Sequence, residues 1–168
     1  MNNKEVNEHA SKHNDKRNKY LIFSLQEEQY GIPLSEVKEV IGMTDNLTPV
    51  PHTPKFFRGL INLRGKIISV LDLRTKLALP SEEYVPKKTT IIITEVSDFT
   101  IGVIVDGVNE VVGFEPSEIE KNIDIQSKVS RDFIIGVAKR ASLILLLDLE
   151  KTLSVNEMGL LRQTLKAA

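Results

Sequence analysis

From residue 20 onward the chain alternates short apolar runs with polar breaks, and most of the runs are too short and too β-branched to be helices. Runs at 20–25, 29–34, 59–63, 66–73, 89–96, 99–105, 133–139 and 143–149 are rich in Ile, Val and Leu and end at Gly, Asp, Asn or Pro. That pattern predicts a mostly β, largely antiparallel fold. Gln26-Glu27-Glu28 and Ser97-Asp98 read as hairpin connections. Helical spacing is rare. Ser35 reads as the N-cap of a short helix with Val37, Val40 and Ile41 on one face, and Asp106 as the cap of another carrying Val108, Val111 and Val112. The strongest helix signal comes last, over about 154–166. There Ser154 and Glu157 have capping-box spacing, and Leu153 and Met158 that of a hydrophobic staple. Met158, Leu161 and Leu165 then form an apolar stripe expected to dock on the body.

Much of this text occurs twice. Gly31, Val37, Glu39, Val40 and Gly42 recur at one constant offset as Gly102, Val108, Glu110, Val111 and Gly113. Ile68, Leu71, Asp72 and Leu73 recur at a second, slightly larger offset as Ile144, Leu147, Asp148 and Leu149. Two copies of a five- or six-stranded unit predict two small barrels, because closure removes exposed sheet edges. A copy of roughly 70 residues is marginal alone, so the two are expected to pack intimately as one domain over 19–168. Residues 1–18 are polar and aperiodic, which predicts a disordered tail.

Composition narrows the function classes. A net charge of −1 weighs against nucleic acid or an acidic membrane as dominant partner. With six Phe, three Tyr and no Trp, the chain also lacks the interleaved aromatic and basic residues of single-strand binders. Cysteine is absent, which excludes disulfides and thiolate chemistry. The charged start has no apolar signal-peptide core, and the apolar run at 143–147 is far short of the ~20 residues that span a bilayer. A cytoplasmic protein without direct membrane insertion is expected.

Catalytic constellations are missing. Gly59 to Lys66 resembles a phosphate loop superficially, with the wrong glycine spacing and Ile67 where Ser or Thr is required. His9 and His13 lie in the tail and His52 stands among prolines, so no histidine pair or metal site is expected. Asp72 and Asp148 hold equivalent places before a polar turn, which favours a capping role over catalysis. Arg64 differs. Asn62, Leu63, Arg64 and Gly65 form a hairpin tip whose counterpart, Lys139-Arg140-Ala141, is read as one residue shorter and without that chemistry. The tip is therefore either a functional surface of one copy or a hairpin that drifted, with Gly65 supplying positive φ. A carboxylate-dependent enzyme and a small-ligand sensor on a β-barrel scaffold stand as alternatives to a binding module.

Tyr30-Gly31-Ile32, Val37-Lys38-Glu39-Val40, the run from Gly59 to Gly65, Val70 to Arg74 and Gly102 to Val108, in that order, resemble the bacterial chemotaxis coupling (adaptor) CheW family. The similarity runs from about Tyr20 into the last helix, and Ser69 stands where many relatives have Pro. The resemblance implies two SH3-like antiparallel β-barrels, no enzyme activity and no cofactor or metal. It implies an adaptor that binds the regulatory domain of the histidine kinase CheA and the cytoplasmic tip of methyl-accepting chemoreceptors. Carried over by position, Val37, Glu39, Asn62, Leu63 and Arg64 are the expected receptor-facing residues, with an ion pair between Glu39 and Arg64. Gly59, Gly65, Gly102 and Gly136 are expected to be structural turn glycines.

Overall fold

A computed structural model of the chain describes residues 18–80, 83–122, 124 and 127–167. The expected tail, apart from Asn18, lies outside them. The strands are β1 (Lys19–Leu25), β2 (Glu28–Pro33), β3 (Val37–Gly42), β4 (Phe57–Leu63), β5 (Lys66–Asp72), β6 (Thr90–Val96), β7 (Phe99–Val105), β8 (Gly107–Gly113), β9 (Ile119–Glu120), β10 (Ile134–Lys139) and β11 (Leu143–Leu147). The helices are α1 (Leu73–Lys76), α2 (Leu149–Thr152) and α3 (Val155–Ala167).

The two short helices expected after Ser35 and Asp106 are instead β3 and β8. Along β3, half-buried Val37, Glu39 and Ile41 alternate with exposed Lys38, Val40 and Gly42, the period of a strand. The valines that would have faced a helix's core side are among the more exposed apolar residues, Val40 at 42% and Val111 at 48%. So short a window, with several β-branched positions, cannot separate the two periods, and pairing with β6 and β1 decides the matter.

One sheet runs β8-β1-β2-β11-β10-β9 and the other β3-β6-β7-β5-β4. Each sheet therefore combines the leading hairpin of one copy with the later strands of the other. The copies do not form one sheet each; they exchange hairpins. All pairs are antiparallel except β2 with β11 and β5 with β7, two of the four seams where the copies meet; β1 with β8 and β3 with β6 are the others. Gly31 and Gly102 sit on these seams. A Cβ on Gly102 would lie 2.8 Å from Ile91 Cγ2, and one on Gly136 2.7 Å from Ile119 Cγ2. Both were expected in turns; both lie inside strands, where close packing excludes a side chain.

Hairpin exchange explains the core. Alternate residues of one strand serve different interiors: Leu21, Phe23 and Leu25 join the large cluster shared by both sheets, while Ile22 packs with Phe114, Ala138, Ile144 and Leu146. In β6, Ile92 and Val96 face the shared cluster and Ile91 and Ile93 face their own sheet's interior. Burial on both faces yields near-continuous apolar runs. Helix α3 closes onto this body with Leu161 buried and Met158 half-buried against the shared core. Ser154 Oγ accepts the Glu157 N–H at 3.1 Å, one half of the expected capping box. The Glu157 carboxylate pairs with Lys76 of α1 at 2.8 Å, tethering α3 to the body.

Candidate functional site

The tip of the β4–β5 hairpin carries Arg64 and Gly65, at φ 54° and 85°, between the paired residues Leu63 and Lys66. Two consecutive positive φ values match the twist of the flanking strands, and Asn or Gly normally takes the first of these positions. An arginine there costs about 1 kcal/mol. Asn62 locks the turn from inside, its Oδ1 accepting the Gly65 N–H at 2.9 Å. At the base of the hairpin a register shift at Gly59, φ 142°, lets Thr48 pair with Leu60.

Glu39 lies on β3, at the far edge of the same sheet, yet its carboxylate meets Arg64 Nη2 at 3.1 Å. The sheet must curl to bring them together. Arg64 is 79% exposed and half-buried Glu39 27%, so the solvent-screened pair contributes ~0–1 kcal/mol to folding. Beneath it lies a depression of about 180 Å³, lined by Lys38, Glu39, Leu63, Arg64, Lys66, Ile68, Ile93 and Thr100. A register shift between Val37 and Glu39 re-aims the strand there. Of the five expected receptor-facing residues, Glu39, Leu63 and Arg64 converge on this depression. Asn62 serves the turn, and Val37 packs half-buried against the shared core. Sequence reasoning missed Lys38, Lys66 and Thr100; Lys66 was legible as the residue closing the hairpin.

The twin hairpin needs two corrections. Its loop, Arg140 to Ser142 between the paired residues Lys139 and Leu143, is one residue longer, because Ser142 leaves the ladder to accept the Arg140 N–H at 3.1 Å. It also carries an arginine: the offset that takes Ile68 to Ile144 takes Arg64 to Arg140. Arg140, however, donates to Gly113 O at 3.0 Å and lies 3.7 Å from Glu118. Its guanidinium covers the Phe114 ring, 5.1 Å from the centroid. One arginine is bound to its own scaffold; the other is presented to solvent.

The acids read as caps are caps. Asp72 Oδ1 accepts the Arg74 and Thr75 N–H groups at 3.0 and 3.4 Å, and Asp148 accepts that of Lys151 at 3.3 Å. Asp72 Oδ2 accepts from Tyr84 O–H at 2.8 Å and lies 3.4 Å from Arg74 Nη2. Asp72 is 2% exposed, so it offers a substrate little access. Burial and the hydrogen bond to Asp72 push the Tyr84 hydroxyl up to about 12. Arg74 is 1% exposed and pairs again with Asp106 at 3.0 Å. Burial alone would lower its pKa; the hydrogen bond and charge of Asp72, then the charge of Asp106, raise it. Among the described residues no group of three or more His, Cys, Asp or Glu could hold a metal. Among them, too, no helix is long and apolar enough to cross a membrane.

A family model described as the CheW-like domain matches residues 19–157. The chain is 33% identical over 149 residues to the chemotaxis protein CheW of Klebsiella aerogenes, covering 88% of this chain and 89% of that one. It is 29% identical over 150 residues to the chemotaxis protein CheW of Rhizobium meliloti, covering 88% and 96%. Among solved structures it resembles the scaffolding protein TtCheW of Thermoanaerobacter tengcongensis, with TM-score 0.75 and 34% identity over 84% of this chain and 90% of that one. The repeat, the paired mostly β sheets and the Arg64 tip thus have one explanation: this chain belongs to the CheW-like family, a family of chemotaxis scaffolds rather than enzymes.

Proposed function

We propose that this chain is a non-catalytic adaptor that joins the regulatory domain of the histidine kinase CheA to the cytoplasmic tip of methyl-accepting chemoreceptors. Family membership supports the scaffold role. The observation that carries the receptor-facing assignment is Arg64, an exposed arginine kept in a left-handed turn position, oriented by Glu39 over an apolar-floored depression. A residue that strains its own hairpin and contributes little to folding is best accounted for by a partner. A helical tip laid across the curled sheet would set an apolar side chain on Leu63, Ile68 and Ile93 while Arg64 fixes its orientation. Kinase binding would use a different surface, leaving both partners engaged at once in the cytoplasm beside receptor arrays.

Arg64→Glu is expected to weaken binding of a receptor-tip fragment at least tenfold by calorimetry and leave binding of the kinase regulatory domain and the circular dichroism spectrum unchanged. Loss of fold in that variant would make Arg64 structural and remove the assignment.

A further inference from the structure

The two copies present the same tip-and-floor arrangement, and one of them is filled from within. Phe114 is 2% exposed and packs with Ile22 and Ile144 under the Arg140 guanidinium. In the two repeat registers Ile22 corresponds to Ile93 and Ile144 to Ile68, and Ile93 and Ile68 floor the depression under Arg64. The register that pairs Gly113 with Gly42 puts Met43 at the place of Phe114. The backbones match: Phe114 N–H donates to Asn18 O at 2.9 Å and Met43 N–H to Thr89 O at 3.1 Å. The side chains do not. Met43 packs against the cluster that holds Ile68 and Ile93 and lines a separate depression with Leu47, Phe57 and Tyr84, but it carries no ring, so no aromatic among the described residues stands to Arg64 as Phe114 stands to Arg140. Arg64 turns to Glu39 instead and leaves its face open.

We propose that the depression under Arg64 receives an aromatic side chain from an acidic helical segment of the receptor partner, the ring lying against the guanidinium as Phe114 lies against Arg140. The inference rests on the receptor-facing reading of Arg64 and adds the partner's chemistry. An apolar cavity of about 150 Å³ holds benzene, so a depression of about 180 Å³ takes one ring. Charge sets the flanks. Lys38, Arg64 and Lys66 surround the single lining carboxylate of Glu39, and Lys66 has no acidic partner among the described residues. Carboxylates beside the ring complement that rim, and a guanidinium gains from a ring face it would not gain from an alkyl chain.

The test is a double-mutant cycle by calorimetry between the full chain and a receptor-tip fragment. Each surface aromatic of the fragment is replaced by Leu in turn, and Arg64 by Lys, which keeps the charge and loses the planar face. One aromatic→Leu change and Arg64→Lys should each lower affinity three- to tenfold, and the two together no more than either alone. Affinity should also fall with added NaCl. If every aromatic→Leu fragment binds as tightly as the parent, or the two losses multiply, the ring assignment is wrong while the Arg64→Glu result still upholds the receptor face. If the parent fragment does not bind at all, the receptor reading fails and this inference with it.

Discussion

Arg64 stands where Asn or Gly would suit the backbone better, which sets stability against function at one residue. Arg64→Asn is expected to hold or raise stability by up to about 1 kcal/mol in denaturant titrations while lowering receptor-tip affinity. The two positive-φ glycines should respond unequally to alanine. At Gly65 nothing lies within 4 Å of a built Cβ, so backbone strain of about 1 kcal/mol is the whole cost. At Gly59 the Cβ would come within 2.6 Å of Thr48 O, so Gly59→Ala should cost clearly more and loosen the pairing of Thr48 with Leu60. Equal costs at the two positions would refute the close-approach explanation. Glu36 reports on pH. Burial first, then the charges of Asp148 and Glu150, hold its pKa above the ordinary glutamate range. A raised folded pKa means that protonation stabilises the fold at low pH and that this contribution is lost as pH rises through the raised value. Glu36→Gln should therefore raise Tm at pH 7 and change it little at pH 4; a drop at pH 7 would contradict the assignment.

At the scale of elements, the chain passes between the sheets twice, and the two crossings are built differently. At the β7–β8 crossing, Asp106 donates its N–H to Ser24 O at 3.0 Å, accepts the Gln26 N–H and pairs with buried Arg74. At the β2–β3 crossing the repeat places Ser35 where Asp106 would stand and Glu150 where Arg74 would stand. Arg74→Met leaves buried Asp72 without its cation and should cost about 3–5 kcal/mol, whereas Asp106→Asn leaves Arg74 its Asp72 partner and should cost less. The double variant should cost less than the sum in a chemical-denaturation cycle, and strict additivity would show that the pair is not coupled. Little of this was legible in the sequence. Arginine is rarely buried, and its partner Asp106 belongs to the other copy, with β6 and β7 in between. Asp106 read as a helix cap because Val108, Val111 and Val112 fit helical spacing over so short a stretch. The runs themselves were legible to within a residue or two, since apolar stretches ending at Gly, Asp or Pro leave few other solutions. Asp72, Asp148 and Ser154 were legible as caps, because capping depends on local spacing alone.

At the scale of the molecule, the duplication read from the chain is present, with its hairpins exchanged. Sequence identity between copies says which segments are equivalent; it cannot say which copy's hairpin completes which sheet, because both assignments bury the same side chains. Exchange makes the shared cluster the largest core, and it leaves the two sheets free to offer separate outer faces. The Arg64 tip was set apart from its twin on a loop length that the structure reverses and on chemistry that the twin's Arg140 shares. The twin also has an arginine, and what separates the two is that Arg140 is held by Gly113 O over the Phe114 ring whereas Arg64, at a positive φ, turns to Glu39. A scaffold is defined by binding two partners together. The decisive measurement is sedimentation velocity of the chain with a kinase regulatory domain and a receptor-tip fragment, singly and mixed. The account predicts two binary complexes and one ternary complex, with Arg64→Glu removing only the receptor fragment; mutually exclusive binding of the two partners would contradict it.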